Sequence, residues 1–140
     1  MFRTLDETML VSPQIGPADI AAAADQGVVL IINNRPEGEE PGQPEGAAIE
    51  AAARAAGLGY VAIPVDHAGL SLDQVEAMGA ALDGVEGRTL AYCRSGTRST
   101  YLWALARARA GDSPDQIRAK AANAGYDLTP LMGLMTQLQG

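Results

Sequence analysis

The stretch "LAYCRSGTRS", Leu90 to Ser99, decides how this chain is built. It sets the only cysteine of the protein, Cys93, at the end of an apolar run and follows it at once with Arg, Ser, Gly and Thr. "RTLAYC" reads as a strand and "TYLWALARARAG" as a helix that ends near Gly111, so a helix start near Arg98 or Ser99 comes directly after the cysteine. A loop between a strand end and a helix start turns several backbone N–H groups toward one point, and the helix macrodipole adds about half a positive charge there. Gly96 lets the backbone curl without a Cβ clash, and Arg94 and Arg98 add full charges on either side. All these terms favour a thiolate, which makes Cys93 an expected nucleophile. The competing expectation is a small buried hydrophobe at a strand end. A structural cysteine has no use for a cationic, glycine-containing cradle, so the functional reading is preferred.

Working outward, strands and helices alternate. "TMLVS", Thr8 to Ser12, and the β-branched run "VVLIIN", Val28 to Asn33, read as strands, the second of the kind buried on both faces of a parallel sheet. Between them "GPADIAAAADQG" offers Pro17 at a first helical position and Gly27 as a stop. "NRPEGEEPGQP" is a loop, long enough to suggest a functional rim. Glu45 to Gly57 reads as a helix with Ile49, Ala52, Ala53 and Ala56 on one face, and "YVAIPV" as a further strand. Ser71 and Gln74 stand at capping-box spacing ahead of "VEAMGAAL"; Ser113, Pro114 and Gln116 repeat that signal, and Thr129 with Pro130 opens the last helix. The expected fold is α/β: a single domain spanning 1–140, with a mostly parallel central sheet flanked by helices and extra C-terminal helices packed on one side.

Composition narrows the chemistry. With 140 residues and 47% hydrophobic content the chain fits one core, and with 4% aromatic residues that core is expected to be aliphatic, with Trp103 and the C-terminal methionines inside it. A net charge of −7 argues against a nucleic-acid partner, because phosphate neutralisation needs a cationic face. No stretch approaches the ~18 apolar residues of a membrane span, and no signal segment is recognisable, so the expected location is the cytoplasm. One cysteine makes no internal disulfide, and Cys93 with the single histidine, His67, makes no zinc site of the usual kind. Neither metal nor cofactor is expected. Oligomeric state is not legible.

"CRSGTRS" resembles the cysteine loops of two enzyme groups, the tyrosine and dual-specificity phosphatases and the rhodanese sulfurtransferases. Across most of the chain, "INNRPEGEEPGQP", "AIPVDHAGLS" and "AYCRSGTRSTYLWALA" resemble the beta-lactamase hydrolase-like, phosphatase-like domain family. That resemblance implies a dual-specificity phosphatase-like fold with the cysteine loop as active site. Some members are fused to a metallo-β-lactamase-like sulfur dioxygenase, which implies a link to persulfide metabolism; the single histidine here furnishes no such metal centre. The loop departs from the phosphatase pattern in one respect. Gly96 stands third after Cys93 as it should, but four residues separate Cys93 from Arg98, one fewer than in a phosphatase. A shorter ring of N–H donors suits a single persulfide sulfur better than the three oxygens of a phosphoryl group.

The leading expectation is therefore a sulfurtransferase. Cys93 would take a sulfane sulfur from thiosulfate or glutathione persulfide, hold it on the N–H groups of Ser95 to Ser99, with Gly96 and Thr97 between them, and bind the anionic donor through Arg94 and Arg98. The first rival is a cysteine phosphatase acting on a phosphate ester, with Asp66 of "IPVDHAGLS" as the acid that protonates the leaving alkoxide. For Asp66 the alternative is a solvated loop carboxylate or a helix cap. His67 reads as a loop residue, not a base. Arg35 either helps bind the anion or is a surface charge. The second rival is a non-catalytic anion-binding domain.

Overall fold

The structure, a computed structural model, describes residues 2–66 and 68–139. The chain opens with two short strands, β1 (Arg3–Asp6) and β2 (Met9–Ser12), paired antiparallel through the turn at Glu7 and Thr8. Helix α1 (Asp19–Asp25) then leads to β3 (Val28–Asn33), α2 (Gly46–Ala55) to β4 (Gly59–Ala62), and α3 (Leu72–Asp83) to β5 (Arg88–Tyr92). Three helices close the chain: α4 (Thr97–Arg109), α5 (Pro114–Asn123) and α6 (Met132–Gln139), the last preceded by a 3-10 turn at Thr129–Leu131. Strand β1 and this 3-10 turn are the elements that the sequence reading did not anticipate. "RTLD" carries too few apolar residues to read as a strand, and it forms one because Met9–Ser12 folds back beside it.

The five strands lie in the order β1-β2-β5-β3-β4, with all pairings parallel except that of β1 with β2. Because β2, β5, β3 and β4 run parallel, the loops that leave them all emerge at one sheet edge. This carboxyl edge is where ligands bind in open α/β sheets.

Alternation of side chains along each strand builds two cores. Met9, Val11, Leu30, Ile32 and Ala91 face the helices α3 to α6, against Met78, Leu102, Trp103, Ile117 and Met135. Their immediate neighbours Leu10, Ile31, Leu90 and Tyr92 face the other way, against Ile20 and Ala23 of α1 and Ile49 and Ala53 of α2. Four helices on one face and two on the other give a single α/β domain of the expected kind. Trp103, Met78 and Met135 are fully buried.

The cap at α3 is as the sequence reads: Ser71 Oγ accepts from Gln74 N–H, and Gln74 Oε1 accepts from Ser71 N–H at 2.8 Å. At α5 only half of the box forms, with Ser113 Oγ accepting from Gln116 N–H at 3.5 Å. Among the described residues no helix is long and apolar enough to cross a membrane.

Candidate active site

Cys93 follows β5 directly and is gripped from both sides. Its N–H donates to Ser12 O at 3.3 Å, and Tyr92 O accepts from Asn34 N–H at 2.8 Å. The thiol is fully buried. Gly96, with φ of 90° and ψ of −9°, is the N-cap of α4, and its N–H donates to Cys93 Sγ at 3.1 Å. Thr100 fixes the same residue from inside the helix: its N–H and its Oγ1 both donate to Gly96 O, at 3.0 and 2.8 Å. Helix α4 starts at Thr97, slightly ahead of the expected start, because glycine adopts the left-handed conformation that lets the helix begin there. Among the described residues one amide, that of Gly96, reaches the sulfur, where the N–H groups of Ser95 to Ser99 were expected together. Thr97 N–H turns to Ser95 Oγ at 3.4 Å, and Ser99 Oγ is buried without a described partner.

Arg98 is held by three hydrogen bonds. Its Nη1 donates to Glu39 Oε2 and to Val65 O, both at 2.7 Å, and its Nη2 donates to Glu39 Oε1 at 2.8 Å. A guanidinium carries five N–H donors in a rigid fork. Nε–H and one Nη2–H are left by these bonds, lie together on one edge, and the Cys93 sulfur is close enough to interact with the guanidinium. The Glu39 hydrogen bond raises the pKa of Arg98 most; burial opposes it, and the nearby Cys93 sulfur raises it further. Glu39 in turn is held to about 2, chiefly by the Arg98 hydrogen bond, with burial working against it and Arg35 assisting.

Arg35 corrects both sequence expectations. It is neither a surface charge nor a wall of the cleft, being 2% exposed and buried behind Glu39. Its Nε donates to Glu39 Oε1 at 2.8 Å, Nη1 to Gln14 Oε1 at 3.1 Å and Nη2 to Glu40 Oε1 at 3.0 Å. A buried guanidinium so satisfied acts on the site through Glu39, which it shares with Arg98. Arg94 is exposed at the rim, with Nη2 3.5 Å from Glu40 Oε2.

Asp66 follows β4. Val65 N–H donates to Asn34 O at 3.0 Å and the Asn34 side chain donates to Ile63 O at 2.9 Å, which ties this segment to the end of β3. The Asp66 carboxylate is exposed and accepts Ala68 N–H at 2.8 Å. Glu39, Asp66, Arg94 and Arg98 line one cleft of about 280 Å³. A larger cavity of about 590 Å³ lies at the opposite end of β5, beside Arg88, Trp103 and Lys120, and holds none of the residues expected in the site. His67, read as a loop residue, lies outside the described residues.

Three contributors escaped the sequence. Glu39 read only as part of the loop that rims the site, Asn34 as the first residue of that loop, and Tyr126 carried no signal. Each acts on residues far away in sequence, and spacing carries no trace of such contacts.

A mostly parallel sheet flanked by helices, with the cysteine loop at its carboxyl edge, gives the domain a dual-specificity phosphatase-like fold. The chain belongs to the family described as beta-lactamase hydrolase-like protein, phosphatase-like domain, whose model matches residues 1–110. It is 37% identical over 125 residues to the beta-lactamase hydrolase-like protein of Xylella fastidiosa, covering 89% of this chain and 29% of that protein. It thus spans less than a third of that relative's length. Among solved structures it is similar to a candidate phosphatase of Neisseria meningitidis, with 35% identity, a TM-score of 0.84 and coverage of 97% of this chain and 96% of that one. PTPMT1 shares the fold at 16% identity, a TM-score of 0.77 and coverage of 99% and 94%. Human DUSP28 shares it at 17% identity, a TM-score of 0.70 and coverage of 99% and 93%.

Proposed function

We propose that this domain is a cysteine-dependent phosphatase that hydrolyses phosphomonoesters through a phosphocysteine at Cys93. The observation that carries this reading is the shared cleft. Arg98 keeps Nε–H and one Nη2–H free of carboxylate and carbonyl partners, beside the Cys93 sulfur, and Asp66 stands on the wall of the same cleft. Two parallel N–H donors suit two phosphoryl oxygens, and a carboxyl group on the same cleft suits the leaving oxygen. Cys93 Sγ attacks phosphorus, an S–P bond forms, the P–O bond to the alcohol breaks, and protonated Asp66 gives its proton to the departing oxygen. Water then attacks phosphorus, Asp66 takes the water proton, and the S–P bond breaks to return the thiolate and release phosphate. Kinship with phosphatase-fold proteins supports the same reading.

The test is turnover of an aryl phosphate by the whole chain. Wild type is expected to release the phenol, and Cys93→Ser to release none while retaining bound substrate. Hydrolysis undiminished in Cys93→Ser, or absent from wild type, overturns the reading.

Sulfur transfer, which loop length favours, is the second reading, supported by the single amide aimed at Cys93 Sγ. One donor suits a one-atom cargo. In that reaction Cys93 takes the outer sulfur of thiosulfate, sulfite leaves with the bonding pair, and an acceptor such as cyanide removes the sulfur as thiocyanate. Neither thiocyanate nor a gain of one sulfur mass on Cys93 after exposure to thiosulfate would remove it. If neither reaction occurs while sulfate raises the melting temperature, the domain is an anion binder.

A further inference from the structure

Tyr126 stands in the turn after α5, outside the residues that the family model matches, yet it reaches the cysteine loop. Its hydroxyl donates to Ser95 O at 3.0 Å. It also lies so close to Gly96 that a Cβ built there would overlap Tyr126 Oη. On its other side the Arg3 guanidinium sits 5.2 Å from the ring centroid and donates through Nη1 to Ala124 O at 3.2 Å. The ring is thus clamped between the N-terminal strand and the loop.

Ser95 O and Gly96 N belong to one peptide unit. In a planar trans peptide the C=O and N–H point in opposite directions, so whatever fixes one fixes the other. Here the oxygen accepts from Tyr126 and the N–H donates to Cys93 Sγ at 3.1 Å. Rotating this plane changes only ψ of Ser95 and φ of Gly96, and glycine tolerates φ of either sign. The residue that permits the curl therefore leaves the orientation of its amide undecided. The hydroxyl decides it, because a flipped peptide would turn its N–H toward Tyr126 and its oxygen toward the sulfur.

We infer that Tyr126 is a positioning residue of the cysteine site: by hydrogen bonding Ser95 O it holds the Ser95–Gly96 peptide in the orientation that presents the Gly96 N–H to Cys93 Sγ. A hydrogen bond to the carbonyl also polarises the amide beyond it, so the series hydroxyl, peptide, sulfur acts as one chain. The inference rests on Cys93 being the reactive group of the proposed phosphatase, and it extends that site to a segment beyond the family match.

Tyr126→Phe keeps the ring over Arg3 and removes only the donor. Two readouts are compared with wild type in the full chain: alkylation of the single cysteine by iodoacetamide at neutral pH, and kcat/KM for an aryl phosphate. Both are expected to fall about fivefold or more, the equivalent of one ordinary hydrogen bond, with the melting temperature changed by a few degrees at most. Equal alkylation and equal kcat/KM in the two proteins overturn the inference and leave the phosphatase reading standing. If wild type hydrolyses no phosphate ester, the alkylation comparison alone decides for or against Tyr126. Should Tyr126→Phe lose its folding transition, hydrogen exchange in wild type takes its place. A Gly96 amide as protected as the interior of α4 supports the inference, and one as fast as an exposed loop overturns it.

Discussion

The carboxylate of Glu39 and the guanidinium of Arg98 meet end to end through two hydrogen bonds of 2.7 and 2.8 Å, although they stand 59 positions apart in the chain. The first comes from the long loop after β3 and the second from the first turn of α4, so their meeting ties that loop to the start of the helix that follows the cysteine. The bond to Val65 O adds the segment after β4 to the same knot. Two loops of the carboxyl edge therefore converge on one arginine of α4.

Replacing Glu39 by Gln keeps the shape and removes the charge shared by Arg98 and Arg35. Charge-assisted pairs are the strong hydrogen bonds, and kcat/KM for an aryl phosphate is expected to drop about tenfold or more. Steady-state kinetics of Glu39→Gln check this, and unchanged kcat/KM refutes it.

The same residue sets an acid limit. Its carboxyl titrates at about 2 in the folded chain against an ordinary value of 4.5. A folded pKa below the unfolded one gives stability that is fully present above pH ~4.5 and is lost as pH falls toward ~2. Wild type is expected to lose more stability than Glu39→Gln across that interval. Denaturant midpoints at several pH values measure it, and parallel curves contradict it.

Asp66→Asn tests the acid role through the leaving group. Removing a general acid is expected to cost about 10²- to 10⁴-fold in kcat for esters of weakly acidic alcohols and far less for esters of acidic phenols. Equal losses across a leaving-group series would assign Asp66 to binding or to loop structure.

Cys93 is fully buried. Iodoacetamide should therefore modify it more slowly than a cysteine in an unfolded peptide, and inorganic phosphate should slow the reaction further. Mass spectrometry of the intact chain counts the modification, since there is one thiol to modify.

Gly96→Ala places a Cβ against the Tyr126 hydroxyl at a backbone φ of 90°. Strain at such a position costs about 1–3 kcal/mol, and thermal unfolding should show a drop of several degrees together with lost turnover. A melting curve matching wild type would mean that the loop reshapes freely.

The sequence revealed the sheet and the place of Cys93 at its edge, because runs such as Val28–Asn33 and caps such as Ser71 with Gln74 are local signals. It did not reveal β1, whose polar residues pair only because β2 lies beside them. Arg35 was misplaced for a related reason: a lone arginine after a strand reads as solvated until Glu39, Glu40 and Gln14 are seen around it. Loop length led to sulfur transfer as the first reading; the cleft that Asp66 shares with Arg98, and the phosphatase-fold relatives, move phosphate hydrolysis ahead of it. Tyr126 and Glu39 could have been found only from pairings across the chain.

The division of the sheet's side chains between two cores bears on how damage spreads. Leu90 and Ala91 are adjacent in sequence and both fully buried, yet they look into opposite interiors. A void opened beneath Leu90 and crowding introduced at Ala91 would disturb different sets of neighbours, so their destabilisations should sum. Only the backbone of β5, which carries the cysteine at its tip, would register both.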